Sequence, residues 1–304
     1  MQYASEQIIK SVNEQQIKSG LYIVSTPIGN IGDVGLRAVN ILNRSNIILC
    51  EDTRLSFKML SRLGIKEKVL LHYNDFILKQ GLDKIIEHLK QGDIISIISD
   101  AGTPLVSDPG HLIVQASKDN GIEVFTIPGA CALSSAISLA GFMQNEFCFM
   151  GFFDEDKIKK IKSKDLHRAF NIIFFENPKS LPKTLSSIGV ELQDDIKVGI
   201  AREISKIHEE FFTFNIKDLK ADKKLSDKIN NIKGEIVLLL YCDNLTQTKS
   251  QVISEAELCA KFFADNHFAK QIKTQDCIQL ISQIYPNAEI NKKILYAEIL
   301  NYKK

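Results

Sequence analysis

The sequence predicts an α/β fold with two sheet-bearing parts and a helical tail. Three observations predict it. Short apolar runs alternate with helical patterns from Leu21 to Ala140, as expected for a mostly parallel sheet with crossover helices. A second series of apolar runs begins at Phe147 and closes at Tyr241. Beyond Asn244 the chain turns polar and only helical spacing remains.

Taken in order, Met1–Ser19 is a polar arm without the long apolar region of a secretory leader. Strands are predicted near Leu21–Thr26, Ile47–Cys50, Val69–His72, Ile94–Ser99 and Val124–Ile127, because each run is short, apolar and rich in β-branched residues. Between them Leu36–Leu42, Phe57–Leu63, Leu82–Leu89 and Leu112–Ser117 carry apolar residues at three-to-four spacing. Gly64, Gly92 and Gly121 stand where C-terminal caps belong. Pro128-Gly129 opens a small-residue helix, Ala130 to Ala140, able to approach a sheet or a ligand closely. Strands follow near Phe147–Phe153, Ile172–Glu176, Val198–Ala201 and Ile236–Tyr241, with a Lys-rich helix or loop after the first. Helical patterns near Glu255–Phe263, Thr274–Ile284 and Lys292–Leu300 form the tail. The expected division is an arm (1–19), a first α/β domain (20–142), a second, smaller one (143–245) and a helical segment (246–304).

With 304 residues, 44% hydrophobic and 25% charged, the chain has the composition of a globular protein with a large core. A formal net charge of +1 gives no global field for nucleic acid, so any RNA contact must come from a local patch. The six cysteines are scattered without a CxxC pair, which argues for reduced thiols in the cytoplasm. No apolar run is long enough to span a bilayer. The histidines lack paired ligand spacing, so no metal site is expected.

Two loops carry the chemistry. Thr26-Pro27-Ile28-Gly29-Asn30 and Ser99–Gly110 each follow an apolar strand directly, and neighbouring strand ends of this kind make a binding crevice. Neither a G-x-G-x-x-G turn nor a P-loop occurs, so phosphate-cradling nucleotide sites are disfavoured. Glu51-Asp52-Thr53-Arg54 reads either as a general base with its partners or as a helix cap with an ion pair. Asp108 suits capping. Arg202–Glu210 is a charged stretch after a strand, fit for a substrate or for blocking an exposed edge. Lys157, Lys159, Lys160, Lys162, Lys164, His167 and Arg168 form the densest basic segment, open to phosphate contact or to plain solvation.

Together these segments resemble the SAM-dependent tetrapyrrole methylase superfamily and, within it, the bacterial ribosomal RNA small subunit methyltransferase I family. The likeness rests on LYIVSTPIGN (Leu21–Asn30), Arg37-Ala38, EDTR (Glu51–Arg54), SDAGTPLVSDPG (Ser99–Gly110), Pro128-Gly129-Ala130, Gly151-Phe152 and AREISK (Ala201–Lys206) with Glu209-Glu210. EDTR and SDAGTP at this separation are highly specific. The resemblance implies a two-domain tetrapyrrole-methylase-like fold with S-adenosyl-L-methionine (SAM) in the interdomain cleft, usually as a homodimer. It implies cofactor contacts at Pro27, Ala101, Gly102, Thr103, Val106, Cys131, Ala132, Glu176 and Ile204. It implies methyl transfer to the ribose 2′-OH of a decoding-region cytidine in 16S rRNA, within the small ribosomal subunit, with Glu51, Asp52, Arg54, Arg202, Glu203 and Lys206 around the acceptor. Other members of the superfamily act on tetrapyrroles or a diphthamide-type acceptor, and a ribosome-binding module without turnover is the non-enzymatic alternative. Two segments depart from the family pattern: Gly151-Phe152-Phe153-Asp154 replaces GFLP, and Glu176-Asn177-Pro178-Lys179-Ser180 replaces ESPHR. The Lys157–Lys164 run is the expected substitute for the missing positive charge.

Overall fold

A computed structural model of the chain describes residues 2–142, 146–163, 170–192, 196–241, 255–265, 271–284 and 291–303. The chain forms two compact units, Met1–Tyr241 and Cys242–Lys304.

The first unit begins with α1 (Gln2–Glu14), β1 (Gly20–Val24), a 3-10 turn (Ile31–Asp33), α2 (Leu36–Arg44), β2 (Ile47–Cys50) and α3 (Thr53–Arg62). It continues through β3 (Val69–His72), α4 (Asp75–Lys90), β4 (Ile94–Ile98), α5 (His111–Asp119), β5 (Val124–Ile127) and α6 (Ala132–Ala140). These five strands form a parallel sheet in the order β3-β2-β4-β1-β5. The sheet is covered on both faces, which is why its central strands read as unbroken apolar runs. Leu21, Leu49, Ile95 and Ile97 pack with Ile113 of α5 and Ile86 and Leu89 of α4. Residues one step along point the other way. Tyr22, Val24, Ile48 and Ile98 therefore pack with Ala38, Ile41 and Leu42 of α2 and Leu60 of α3. Each fully buried Leu or Ile contributes about 1.5–3 kcal/mol. Gly64, Gly92 and Gly121 have the positive φ of the expected caps.

The polar arm is largely helical. Asn40 Nδ2 of α2 donates to the Val12 carbonyl at 2.7 Å, and Arg44 Nη2 donates to the Asn13 carbonyl at 2.6 Å, so side chains of α2 bind the last carbonyls of α1.

The rest of this unit comprises β6 (Phe147–Phe152), α7 (Glu155–Ser163), β7 (Asn171–Glu176), α8 (Leu181–Leu192), β8 (Lys197–Arg202), β9 (Glu210–Asn215), α9 (Asp218–Ala221), α10 (Lys223–Asn230) and β10 (Ile236–Tyr241). The sheet order is β6-β7-β10-β8-β9. Only β6–β7 pair in parallel. β9, α8, α9 and α10 are additions to the elements expected from sequence. The small residues of α6 let it lie on this sheet: Ala136 and Ala140 pack with Ile173, Ala201, Val237 and Leu239. Tyr241 Oη donates to the Ala140 carbonyl at 2.7 Å.

The second unit contains α11 (Glu255–Asp265), α12 (Thr274–Ile284) and α13 (Lys292–Lys303), with Leu258, Phe262, Cys277, Ile281, Leu295 and Ile299 as its core. Burial pushes the Cys259 thiol up to about 11. Cys50, Cys131, Cys148, Cys259 and Cys277 are free thiols, and Cys242 lies outside the described residues. Among the described residues no helix is long and apolar enough to cross a membrane.

Candidate active site

β1 and β4 are neighbours in the parallel sheet, so the loops that follow them emerge side by side at its carboxyl edge. They are joined by backbone. Thr26 N–H donates to the Gly102 carbonyl at 2.8 Å and Gly102 N–H to the Thr26 carbonyl at 3.1 Å. Ser25 Oγ lies 2.9 Å from Thr103 Oγ1, which donates to the Ala130 carbonyl at 3.1 Å, tying in the loop before α6. Gly102 has φ +84°, and a Cβ there would meet Ile28 Cγ2 at 3.1 Å, so only glycine serves without strain. Leu105 and Ser107, both at φ +69°, hold the second loop in a conformation that L residues rarely adopt.

A cavity of about 400 Å³ opens at this edge. One side is made by the ends of parallel strands: Ile28 after β1, Glu51 after β2, Ala101, Gly102, Thr103, Val106 and Asp108 after β4, and Cys131 and Ala132 after β5. The other side is Phe152, Phe175, Glu176, Asn177, Pro178, Ala201, Ile204 and Gly234–Val237 of the second sheet and its loops. Of the cofactor residues anticipated from sequence, all but Pro27 line it, and Ile28 takes that place. Asp108, read as a cap, stands on the cavity wall instead. Gly110 occupies the N-cap position of α5 without a side-chain bond.

Three carboxylates meet here. Burial raises the pKa of Glu51, and Asp108 and Asp100 raise it further. Burial also raises that of Asp108, aided by Asp100 and opposed by a hydrogen bond from Ser99. Glu51 is the one anticipated catalytic residue that lines the cavity. Asp52 is the N-cap of α3, accepting the N–H groups of Arg54 and Leu55 at 2.8 and 3.3 Å. Its carboxylate also pairs with Arg54 at 3.0 Å, and these bonds hold it down to about 2. The Arg54 side chain is 86% exposed.

Glu176 is 6% exposed, and its carboxylate is consumed locally. It accepts from Asn177 N–H at 2.7 Å, Ser180 Oγ at 2.8 Å and Thr184 Oγ1 at 2.7 Å, fixing the turn from β7 into α8.

Glu203, Ser205 and Lys206 form a latch over the first loop. Glu203 and Ser205 sit at φ +50° and +66°. Lys206 Nζ lies 2.9 Å from Glu203 Oε1 and 3.1 Å from Glu235 Oε2. Its stem covers Gly29, where a Cβ would be 2.4 Å from Lys206 Cγ. Ser205 Oγ donates to Asp33 Oδ2 in the 3-10 turn. Burial works against both charges, yet the Glu235 N–H and Lys206 hold Glu203 below the usual range, and Glu203 and Glu235 hold Lys206 above it. Arg202 is turned aside, with Nε on the Lys233 carbonyl at 2.5 Å and Nη1 3.7 Å from Glu210.

In the basic segment, Lys157, Lys159 and Lys162 pair with Asp154, Asp156 and Glu191 at 3.3, 3.8 and 3.0 Å. Lys164, His167 and Arg168 lie outside the described residues.

Two α/β layers joined at the carboxyl edge of a parallel sheet, with a cavity between strand ends, define a methylase-type fold. Residues 20–220 match the family model described as Tetrapyrrole (Corrin/Porphyrin) Methylases. Among solved structures, a diphthine synthase superposes with TM-score 0.55 at 13% identity, covering 72% of this chain and 88% of that one. The uroporphyrin-III-C-methyltransferase of Thermus thermophilus gives 0.51 at 14%, covering 75% and 97%. At such identities the likeness is one of fold. Sequence relatives reach further. A Hydrogenobaculum sp. protein named ribosomal RNA small subunit methyltransferase I is 39% identical over 76% of this chain and 99% of its own length. Its namesakes from Rickettsia prowazekii and Thermotoga maritima are 35% and 41% identical, covering 91% and 72% of this chain and 95% and 97% of theirs. The chain belongs to the ribosomal RNA small subunit methyltransferase I family of tetrapyrrole methylases.

Proposed function

We propose that the protein is a SAM-dependent methyltransferase that modifies the ribose 2′-OH of a decoding-region cytidine in 16S rRNA. It acts on the small ribosomal subunit, in the cytoplasm and as a homodimer. The observation that carries this reading is the convergence of Glu51, Ala101–Thr103, Cys131 and Ala132 on one cavity in a chain of which 76% aligns with nearly the whole length of the Hydrogenobaculum relative.

The residues fit the cofactor. A cavity of about 400 Å³ lies within the range of small-molecule sites. Its wall of small residues and loop backbone offers no phosphate cradle, and SAM carries no phosphate. Glu51, Asp100 and Asp108 complement a cationic ligand. Ala101, Gly102, Thr103, Val106, Cys131, Ala132 and Ile204 would hold it. When bound, it supplies an electrophilic methyl group.

The chain then has two tasks. The first is alignment of the hydroxyl oxygen with the methyl carbon, which the latched loops provide by leaving the acceptor few orientations. The second is to take the proton. Glu51 is the group for this: it lines the cavity, and its raised pKa makes it a stronger base than an ordinary carboxylate. Glu51 would accept the hydroxyl proton as the methyl passes to the oxygen, the sulfur–methyl bond breaking to leave a neutral thioether. Asp52, Arg54, Glu203 and Lys206 then shape the surroundings of the acceptor, while Arg202 braces the end of β8 through the Lys233 carbonyl and Glu210.

The test is transfer of labelled methyl from SAM to unmodified small subunits and, separately, to naked 16S rRNA, with the product nucleoside identified by mass spectrometry. The expected product is 2′-O-methylcytidine from subunits. SAM binding without transfer would move the assignment to another acceptor or to a module without turnover.

A further inference from the structure

One surface beside the cavity has, beyond Arg54 at its near end, no role in the chemistry above. α3 starts two residues after Glu51 and runs away from the cavity mouth. Its sequence, TRLSFKMLSR, holds three cations and no acid. Arg54, Lys58 and Arg62 recur every fourth residue, which at helical spacing puts them in one row. All three are exposed, and Phe57, 63% exposed, stands beside the row. The opposite face, Ser56 and Leu60, is buried. Asp52 pairs with Arg54, while Lys58 and Arg62 make no ion pair with any described residue. The lysine-rich α7 differs, because three of its four described lysines are neutralised by neighbouring acids.

We propose that this row is the track on which the RNA strand flanking the acceptor nucleotide lies. Arg54, Lys58 and Arg62 contact successive phosphates, and Phe57 gives one unpaired base a surface to stack on. The row rises about 12 Å from Arg54 to Arg62, enough to follow several phosphates of one strand. An aromatic beside cations is the combination that holds single-stranded nucleic acid without reading sequence. In a chain of net charge +1, a helix of this kind opening at the cavity fixes where the polyanion is drawn. The inference rests on the proposed RNA acceptor, but its test is read from binding and not from turnover.

The experiment measures binding of wild type, the double variant Lys58→Gln/Arg62→Gln and Phe57→Ala to naked 16S rRNA and to unmodified subunits over a range of salt. Thermal unfolding and SAM affinity serve as folding controls. The double variant is expected to reduce the slope of log affinity against log salt by about 1.5 to 2 on both RNAs. Phe57→Ala is expected to weaken binding roughly tenfold with the slope unchanged. With wild type active, the double variant raises KM for subunits and leaves kcat within about twofold. Unchanged slopes in the folded double variant would overturn the proposal, as would a slope change on subunits alone, which would mark a protein contact. A normal slope change with no methyl transfer by wild type would sustain the track and overturn the proposed reaction.

Discussion

The carboxylate of Asp100 accepts the backbone N–H of Asp52 at 3.0 Å. A residue of the loop after β4 thereby holds the first turn of the helix that follows Glu51, so the two most specific sequence segments form one built unit. Asp100→Ala removes this acceptor and frees the start of α3. Methyl transfer should fall about tenfold with a stability loss of about 1 kcal/mol, and Asn, which keeps an acceptor oxygen, should restore most of both. Initial rates and urea unfolding check it.

Glu51→Gln should move activity and stability in opposite directions. Its pKa is raised in the folded protein, so the folded state binds more protons than the unfolded chain between the two pKa values. Stability is therefore greater below the unfolded value and falls as pH rises through the folded one. At neutral pH the ionised carboxylate, close to Asp100 and Asp108, is a cost, and its removal should raise the Tm. The same change should lower kcat by about 10²- to 10⁴-fold, and the wild-type rate should rise with pH through an apparent pKa above that of a free carboxylate. Calorimetry and a pH–rate profile separate the two effects.

Glu176→Ala should be among the most destabilising single changes in this unit. It strands the buried Thr184 hydroxyl and removes the shared acceptor of the Ser180 hydroxyl and the Asn177 N–H. A loss of about 3 kcal/mol is expected from denaturant midpoints. SAM affinity measured on the remaining folded protein should change far less, because the carboxylate is committed to the turn.

Gly102→Ala adds a Cβ 3.1 Å from Ile28 at φ +84°. A cost of about 1–2 kcal/mol in stability is expected, together with a loss of SAM affinity of tenfold or more by titration calorimetry, since the strain falls on the loop that would hold the ligand.

Lys206→Met should keep the stem over Gly29 and leave Glu203 and Glu235 without their shared cation. The expected result is a fall in kcat of tenfold or more with SAM affinity within about threefold, measured by single-turnover transfer.

Much of this arrangement was legible in the chain. The parallel sheet was readable because its central strands β1, β2 and β4 are buried on both faces and nothing polar interrupts Ile94–Ile98 except Ser96, whose hydroxyl is taken up by Ser45. Other elements were disguised. Leu181, Leu185, Ile188 and Leu192 make a clear helical stripe in α8, but Pro182 and Gly189 lower its local propensity. β9 begins at Glu210 and pairs only with β8, so its residues lack the uniform apolarity of a central strand. The cavity residues were found where a loop follows a strand directly. Gly234–Val237 were not, because their role comes from a strand that β7 and β8 flank only after folding. Asp108 misled for a related reason: the same side chain suits a cap or a cavity wall, and only the position of Gly110 decides between them.

The paired Thr26 and Gly102 hydrogen bonds make a single rung of antiparallel ladder across the mouth of a parallel sheet. The rung turns two loops into one mechanical part. Neither can open or close alone, so a ligand that seats in the cavity meets a stiff anvil on this side. Accommodation to its shape falls to the opposite wall, where Asn177, Pro178 and Ile204 line the cavity with no backbone pair of this kind to the two loops among the described residues.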